Sequence, residues 1–526
     1  MNRGIFLNLA IASNTFDSAT LKQIIPYRCN KGFPMVQAPL KTTPIKTLAQ
    51  LAIQRIKELG CEYGEIRLCT YRRQNLWAQD LSLKRLSDNE SSGFGIRVLW
   101  QGSWGFAASH RKTPQEIERV AQLAVEIAKG SHLSQREPVR LVPVPAYQDR
   151  YETPIELNPF DIPLTDKTEL LLDVSSKLLA QDDIIKKAYA YLGFTQEDKL
   201  FASTEGSLIE QRIYRSGGGM GCSAVAKGDA QGRKFERSPL NKGYEHIQPD
   251  LFYANLERIA AEAIEKVHAP EVPNGKATLV LKPSHLWLPI HESVGHPTEL
   301  DRVYGYEANF AGTSFATTEK LNNFQYAAPC VNFKADRTQT GGRSTLGYDD
   351  EGVKAEDWYV VKDGILVDYL TDRETAYRLG RESSNGCAYA DNWASVPMVR
   401  IPNLGLEAGK EGGDRTATLD EMIANTKDGY LIDGDDTFSI DQQRRNFQFG
   451  GDAVWRIKDG QLAGMVKNLT YQSMTTDFWN SVTAIGTEAE REQRGTSFCG
   501  KGEPMQIAQM THACPPIQVQ NIRIGR

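Results

Sequence analysis

The stretch His291-Glu292-Ser293-Val294-Gly295-His296 packs the most chemistry into the fewest residues of this chain. Two imidazoles flank a carboxylate. A neutral imidazole nitrogen suits a borderline metal such as zinc, and a carboxylate beside one ligand can reach a water on that metal without occupying the metal itself. The familiar helical arrangement, H-E-x-x-H, sets its histidines four apart on one face. Here they are five apart, which on an ideal helix turns the second ring about 140° away from the first. Both rings meet one ion only if the turn widens. Gly295 is flexible, and Pro289 and Pro297 interrupt regular hydrogen bonding on either side. A single turn of the π type is therefore expected.

Two histidines hold a catalytic metal poorly; catalytic zinc usually has three protein ligands and one open position. Glu299 would complete a His-His-carboxylate set. Cys499 lies in Gly495-Thr496-Ser497-Phe498-Cys499-Gly500-Lys501-Gly502, where glycines let the backbone bring a thiolate close and Lys501 would help keep the sulfur ionised. Cys387, His512 and Cys514 compete for the same role. Glu299 or Asp301 could also accept the outer N–H of a ligand histidine. Such a set would carry out metal-assisted hydrolysis, with Zn2+ activating a water and Glu292 as general base. Two other readings stay open. One is a thiol hydrolase with Cys499 as nucleophile and His512 as base. The other is a non-catalytic binding or assembly subunit with a fully coordinated structural metal.

The elements that must position these residues read as α+β. A helix starts at Thr43-Pro44 and stops at Gly60, and a strand follows at Ile66 to Thr70. A hairpin turns at Gln101-Gly102, and a capping box at Thr113/Glu116 opens a helix to Gly130. A helix is expected over 165–180, and strands over 184–194, 199–203 and 207–214, the last two joined at Glu205-Gly206. Ser216-Gly217-Gly218-Gly219 lacks the Lys-Ser/Thr of a phosphate cradle and reads as a bulge or turn. A helix over 249–267 precedes a boundary at Pro270 to Gly275. The second half opens with an apolar strand, Ala277 to Lys282, with Ser284 as a helix cap. Asp-Gly hairpins follow at Asp363-Gly364 and Asp459-Gly460. Short helices fall near 373–379 and, behind a Thr418/Glu421 box, 419–426. The division is thus an N-terminal mixed α/β-sheet domain at 43–272, then a predominantly antiparallel β domain at 273–526 that carries the metal site.

At 526 residues, with 40% hydrophobic and 24% charged residues, the chain has the composition of a soluble globular protein. A net charge of −5 without a long basic stripe gives no sign of a nucleic-acid partner, and none is expected. No apolar run approaches the length of a membrane span. Eight scattered cysteines make no disulfide framework and fit a reducing, cytoplasmic setting. The apolar run Ile5 to Ile11 is too short and broken for a convincing signal peptide, so residues 1–42 read as a poorly ordered extension; Arg3 before the run and the cleavage-like Ala10-Ile11-Ala12 keep export open as the alternative.

The run His291-Glu292-Ser293-Val294-Gly295-His296-Pro297-Thr298-Glu299-Leu300-Asp301-Arg302 resembles the signature of the TldD/PmbA metallopeptidases, on their TldD-like, catalytic side. Gly93 to Leu99 with Gly102 to Ala108 is similar to that family's N-terminal hairpin. Asp349-Asp350-Glu351-Gly352, the Asp363-Gly364 hairpin and Cys499-Gly500-Lys501 also fall in the family's order, from about residue 45 onward. The resemblance implies His291, His296 and Cys499 as ligands of Zn2+ and Glu292 as the catalytic glutamate. It implies a homodimer, or a heterodimer with a TldE-like subunit, around an enclosed chamber that cleaves peptides or unfolded protein segments. Glu503-Pro504-Met505-Gln506 departs from the valine-, proline- and glycine-rich run of better-known members. With a β-rich second half, an extended peptide would dock by adding a strand to an exposed edge.

Overall fold

Long alternating strands dominate the first half because polar and apolar residues swap faces along them. The computed structural model describes residues 44–525, so the expectation for 1–42 lies outside the described residues. A seven-stranded sheet runs in the order Ser103–Ser109, Ser82–Trp100, Tyr63–Gln79, Ile185–Ser203, Leu208–Ala226, Gln148–Glu152, with Asp229–Leu240 also on Leu208–Ala226. The strands expected at 184–194 and 199–203 are one continuous strand, because Thr195 to Asp198 stay paired to both neighbours. The triple glycine lies inside Leu208–Ala226, with a bulge between Ser216 and Gly218 against the next strand.

One face of this sheet is covered by helices. Pro114–His132 buries Ile117, Val120, Ala121, Ala124, Val125 and Ala128, an i, i+3, i+4 stripe. Thr113 accepts from the Glu116 backbone N–H and caps it. Ile45–Glu58 and Leu164–Leu179 pack on the same face. The helix expected over 249–267 is two, Pro249–Ala254 and Leu256–His268, broken at Asn255. The opposite face carries buried charge and meets the second half through ion pairs. Arg97 bridges Glu65 (2.9 Å) and Glu351 (2.8 Å), and Lys199 meets Asp350 (2.6 Å). From the helix-covered face, where it pairs across from Cys222, Arg233 also reaches the second half at Asp452 (2.6 Å) and Asp433 (3.0 Å). Residues 43–526 form one unit as a result.

The second half is built on a sheet that closes on itself. Asp428–Ile440 pairs with Gly275–Leu281, then follow Ile517–Gly525, Thr470–Met474 and Asn446–Lys458, which returns to Asp428–Ile440. All these pairings are antiparallel except the first. The architecture is α+β, as the sequence patterning requires. Pro283–Ile290 leads from the strand Gly275–Leu281 into the histidine motif. Its cap is Lys282; Ser284 instead hydrogen-bonds Asp433 Oδ1 and the Gly434 N–H. The hairpin Glu492–Lys501/Gln506–Cys514 lies against this helix. No helix among the described residues is long and apolar enough to cross a membrane, and the seven described cysteines are free.

Candidate metal centre

The helix Pro283–Ile290 does not stop at the motif but widens. His291–Gly295 is a π turn, and the His296 N–H donates to the His291 carbonyl. That i to i+5 bond sets the two histidines one turn apart, their rings edge to face with centroids 4.7 Å apart. Ser293 staples the turn. Its hydroxyl donates to the Pro289 carbonyl (2.6 Å) and accepts from the indole of the fully buried Trp479 (2.9 Å), while its carbonyl accepts from Tyr326 Oη (2.5 Å). The widening does not use glycine's conformational freedom: Gly295 has φ −60° and ψ −65°, open to any residue. Space requires it, because a Cβ there would lie 2.7 Å from Ile401 Cδ1.

Cys499 arrives from the hairpin some two hundred residues later. One donor atom each from His291, His296 and Cys499 lies within 4.8 Å of the others, and all three residues are buried. Cys499 Sγ is 3.4 Å from His296 Nε2. Two ligands at zinc's usual bond lengths on a tetrahedron sit about 3.6 Å apart, so the spacing fits that ion. The donor chemistry fits as well. Burial pulls His291 down to about 4 and His296 well below its ordinary value, so both present neutral rings at neutral pH. Burial opposes ionisation of Cys499, yet the thiol is held below its usual range; with His296 neutral, the cation that favours the thiolate is Arg400. Arg400 Nη2 lies 2.9 Å from the sulfur and 2.5 Å from the Cys499 carbonyl oxygen.

The other candidates take different places. Glu299 Oε2 is 2.7 Å from His296 Nδ1, which leaves Nε2 toward Cys499; its carboxylate backs that ring and is not a third ligand. Lys501 does not support the sulfur. Its Nζ is spent on Asp301 (2.7 Å), the Val399 carbonyl (2.7 Å) and Glu299 (3.2 Å), so it acts on the centre only through Glu299. Asp301 faces Lys501 and not a histidine. His512 Nδ1 is 2.8 Å from the Leu404 carbonyl and its Nε2 2.9 Å from His291 Nδ1, so neither nitrogen is free for a metal or for Cys499. Cys514 Sγ lies 3.9 Å from the Pro283 carbonyl, and burial pushes the thiols of Cys387 (to about 12) and Cys514 above their ordinary values. Among the described residues no fourth His, Cys, Asp or Glu joins the set.

Comparison with known proteins gives the family of the chain. Residues 274–526 match the PmbA/TldA metallopeptidase C-terminal domain, 64–128 its domain 1 and 157–269 its central domain. The chain belongs to the PmbA/TldD metallopeptidase family. A metalloprotease of Methanocaldococcus jannaschii is 28% identical over 451 residues, covering 85% of this chain and 94% of the relative. A zinc metalloprotease TldD homolog of Saccharolobus solfataricus is 23% identical over 486 residues, 90% of this chain and 98% of the relative. TldE of Thermococcus kodakarensis shares the fold at TM-score 0.67 and 15% identity, covering 92% of this chain and all of that one.

Within this PmbA/TldD metallopeptidase, two arginines at the centre carry no signal that sequence reading could have used. Arg400 and Arg444 sit in stretches without a motif, and only the folded chain delivers them. Arg444 Nη1 donates to Glu292 Oε2. It is held at φ 65°, in a turn whose backbone Asp441 ties through the N–H groups of Gln443, Arg445 and Asn446.

Proposed function

We propose that this metallopeptidase hydrolyses peptides or unfolded protein segments, with zinc at His291, His296 and Cys499 and Glu292 as general base. The observation that carries the reading is the meeting of those three donors, with Glu292 next to His291 in the same buried turn. When bound, zinc would polarise the scissile carbonyl and acidify a water at the open position. Glu292 takes the proton from the attacking water and returns it to the leaving amine. Arg444 orients this carboxylate through Oε2, and it must slacken its grip as Glu292 takes the proton. A thiolate donates more charge than a carboxylate, so the metal is a weaker Lewis acid here and more of the work falls on Glu292. The peptide would add as a strand beside Glu492–Lys501, which pairs with one strand only among the described residues, making recognition largely backbone-based.

The chain would work in the cytoplasm as a homodimer or with a TldE-like partner. The organisation proposed inside the 43–526 unit keeps its boundary at 272/273. Glu292→Gln tests the reading. That variant should retain zinc at wild-type stoichiometry and lose peptide cleavage by about 10²-fold or more, and a zinc chelator should abolish wild-type cleavage. Cleavage by Glu292→Gln at the wild-type rate would eliminate the proposed base. Chelator-resistant cleavage would eliminate the metal.

A further inference from the structure

We infer that His512 is a positioning residue: through the Leu404 carbonyl it dictates which nitrogen of His291 is bare. The inference rests on the metal-site reading above and follows from donors and acceptors alone. A backbone carbonyl only accepts, so His512 Nδ1, at 2.8 Å from it, carries a proton and donates. His512 is completely buried, and its two nitrogens face only that carbonyl and His291. Neither nitrogen of His512 contacts a carboxylate that would balance a second proton. Nε2 is therefore a lone pair. His291 Nδ1, 2.9 Å away, must supply the proton between the two rings. A neutral imidazole holds one proton, so the Nε2 of His291 is left bare for a metal.

Each link in this relay is held in place. Leu404 belongs to the strand Leu404–Leu406, paired with Phe333–Asp336, and the side chain of the preceding Asn403 bonds Ser344, Thr345 and Asp336. Trp287 lies nearly parallel to the His512 ring, 16° between planes and 6.4 Å between centroids. His512 also sits on the strand paired with that of Cys499. One hairpin thus supplies the sulfur ligand and sets the proton of a histidine ligand. The two rings are backed unequally: a carboxylate stands behind His296 and a neutral ring behind His291. The neutral backing leaves His291 the less basic ligand and adds no negative charge to a set that already contains a thiolate.

The test uses the full chain with His512→Gln and His512→Phe. Gln keeps an acceptor near the Nε2 position; Phe keeps the ring and loses both bonds. Zinc affinity, read by competition with a chromogenic chelator, should stay within about 3-fold of wild type for Gln and fall about 10–100-fold for Phe. In zinc-free wild type labelled with 15N-histidine, long-range correlations should show both His512 and His291 protonated at Nδ1. His512→Phe binding zinc as tightly as wild type, or His291 protonated at Nε2, would overturn the inference. If the Phe variant fails to fold, the wild-type tautomers decide alone. A wild-type chain that binds no zinc refutes the metallopeptidase reading, while the tautomer measurement still judges the relay.

Discussion

Gly295→Ala is the sharpest single test of how the histidines are brought together. Two effects oppose each other. Alanine in a helical position is worth roughly 0.5–1 kcal/mol over glycine, and the Gly295 angles of −60° and −65° allow it to adopt this backbone freely. Against this, the new Cβ would lie 2.7 Å from Ile401 Cδ1, 3.2 Å from its Cγ2 and 3.3 Å from its Cγ1. Ile401 is 1% exposed, within the core of the second half, and has little room to withdraw. Overpacking of this kind costs about 1–3 kcal/mol, so the steric effect wins and the variant should lose about 1 kcal/mol net. Ile401→Val alone should lose about 0.5–1.5 kcal/mol through the missing methyl. The pair should recover, because Val lacks the atom in the closest contact. Urea midpoints of the zinc-free chain across the double-mutant cycle should therefore show a favourable coupling of about 1 kcal/mol. A Gly295→Ala chain at least as stable as wild type would refute the argument. So would a cycle additive to within about 0.5 kcal/mol.

Three further outcomes follow from the same geometry. Arg400→Met removes the cation beside Cys499, so the thiol pKa should rise; zinc should bind about 10–100-fold more weakly, with a larger loss at pH 6 than at pH 8 because protons compete harder, as a chelator competition series over pH would show. Lys501→Met leaves Asp301 buried without its cation and Glu299 with Arg400 alone, and should cost about 3–5 kcal/mol in denaturant unfolding, with Asp301→Asn in the same chain recovering part of it; an unchanged midpoint would show the pair to be dispensable. Burial pulls His285 down to about 4, so between pH 6.5 and 4 the unfolded chain binds the extra proton and stability falls with pH; His285→Gln should lose about 2 kcal/mol less than wild type between pH 7.5 and 5, and equal slopes would contradict the shift.

Much of this protein could be read without coordinates because the signals are local. The five-residue histidine spacing and its bracketing prolines led to a π turn, since backbone hydrogen bonding answers to neighbours in sequence. Asp-Gly pairs marked the hairpins, and apolar periodicity marked the helix Pro114–His132. What the chain's order cannot encode locally is which distant groups meet. Gly295 looked like a source of flexibility, whereas the Ile401 side chain is what forbids anything larger. Lys501 looked like the partner of the sulfur because it is two residues away; on a strand its side chain leads to Asp301, and Arg400 takes that place. His512 looked like a competing ligand or base until the Leu404 carbonyl and His291 were seen to occupy both its nitrogens. Local rules determine turns, caps and faces. The direction of a hydrogen bond between residues 221 positions apart depends on two sheets and a helix closing around it, and only the tertiary structure decides that.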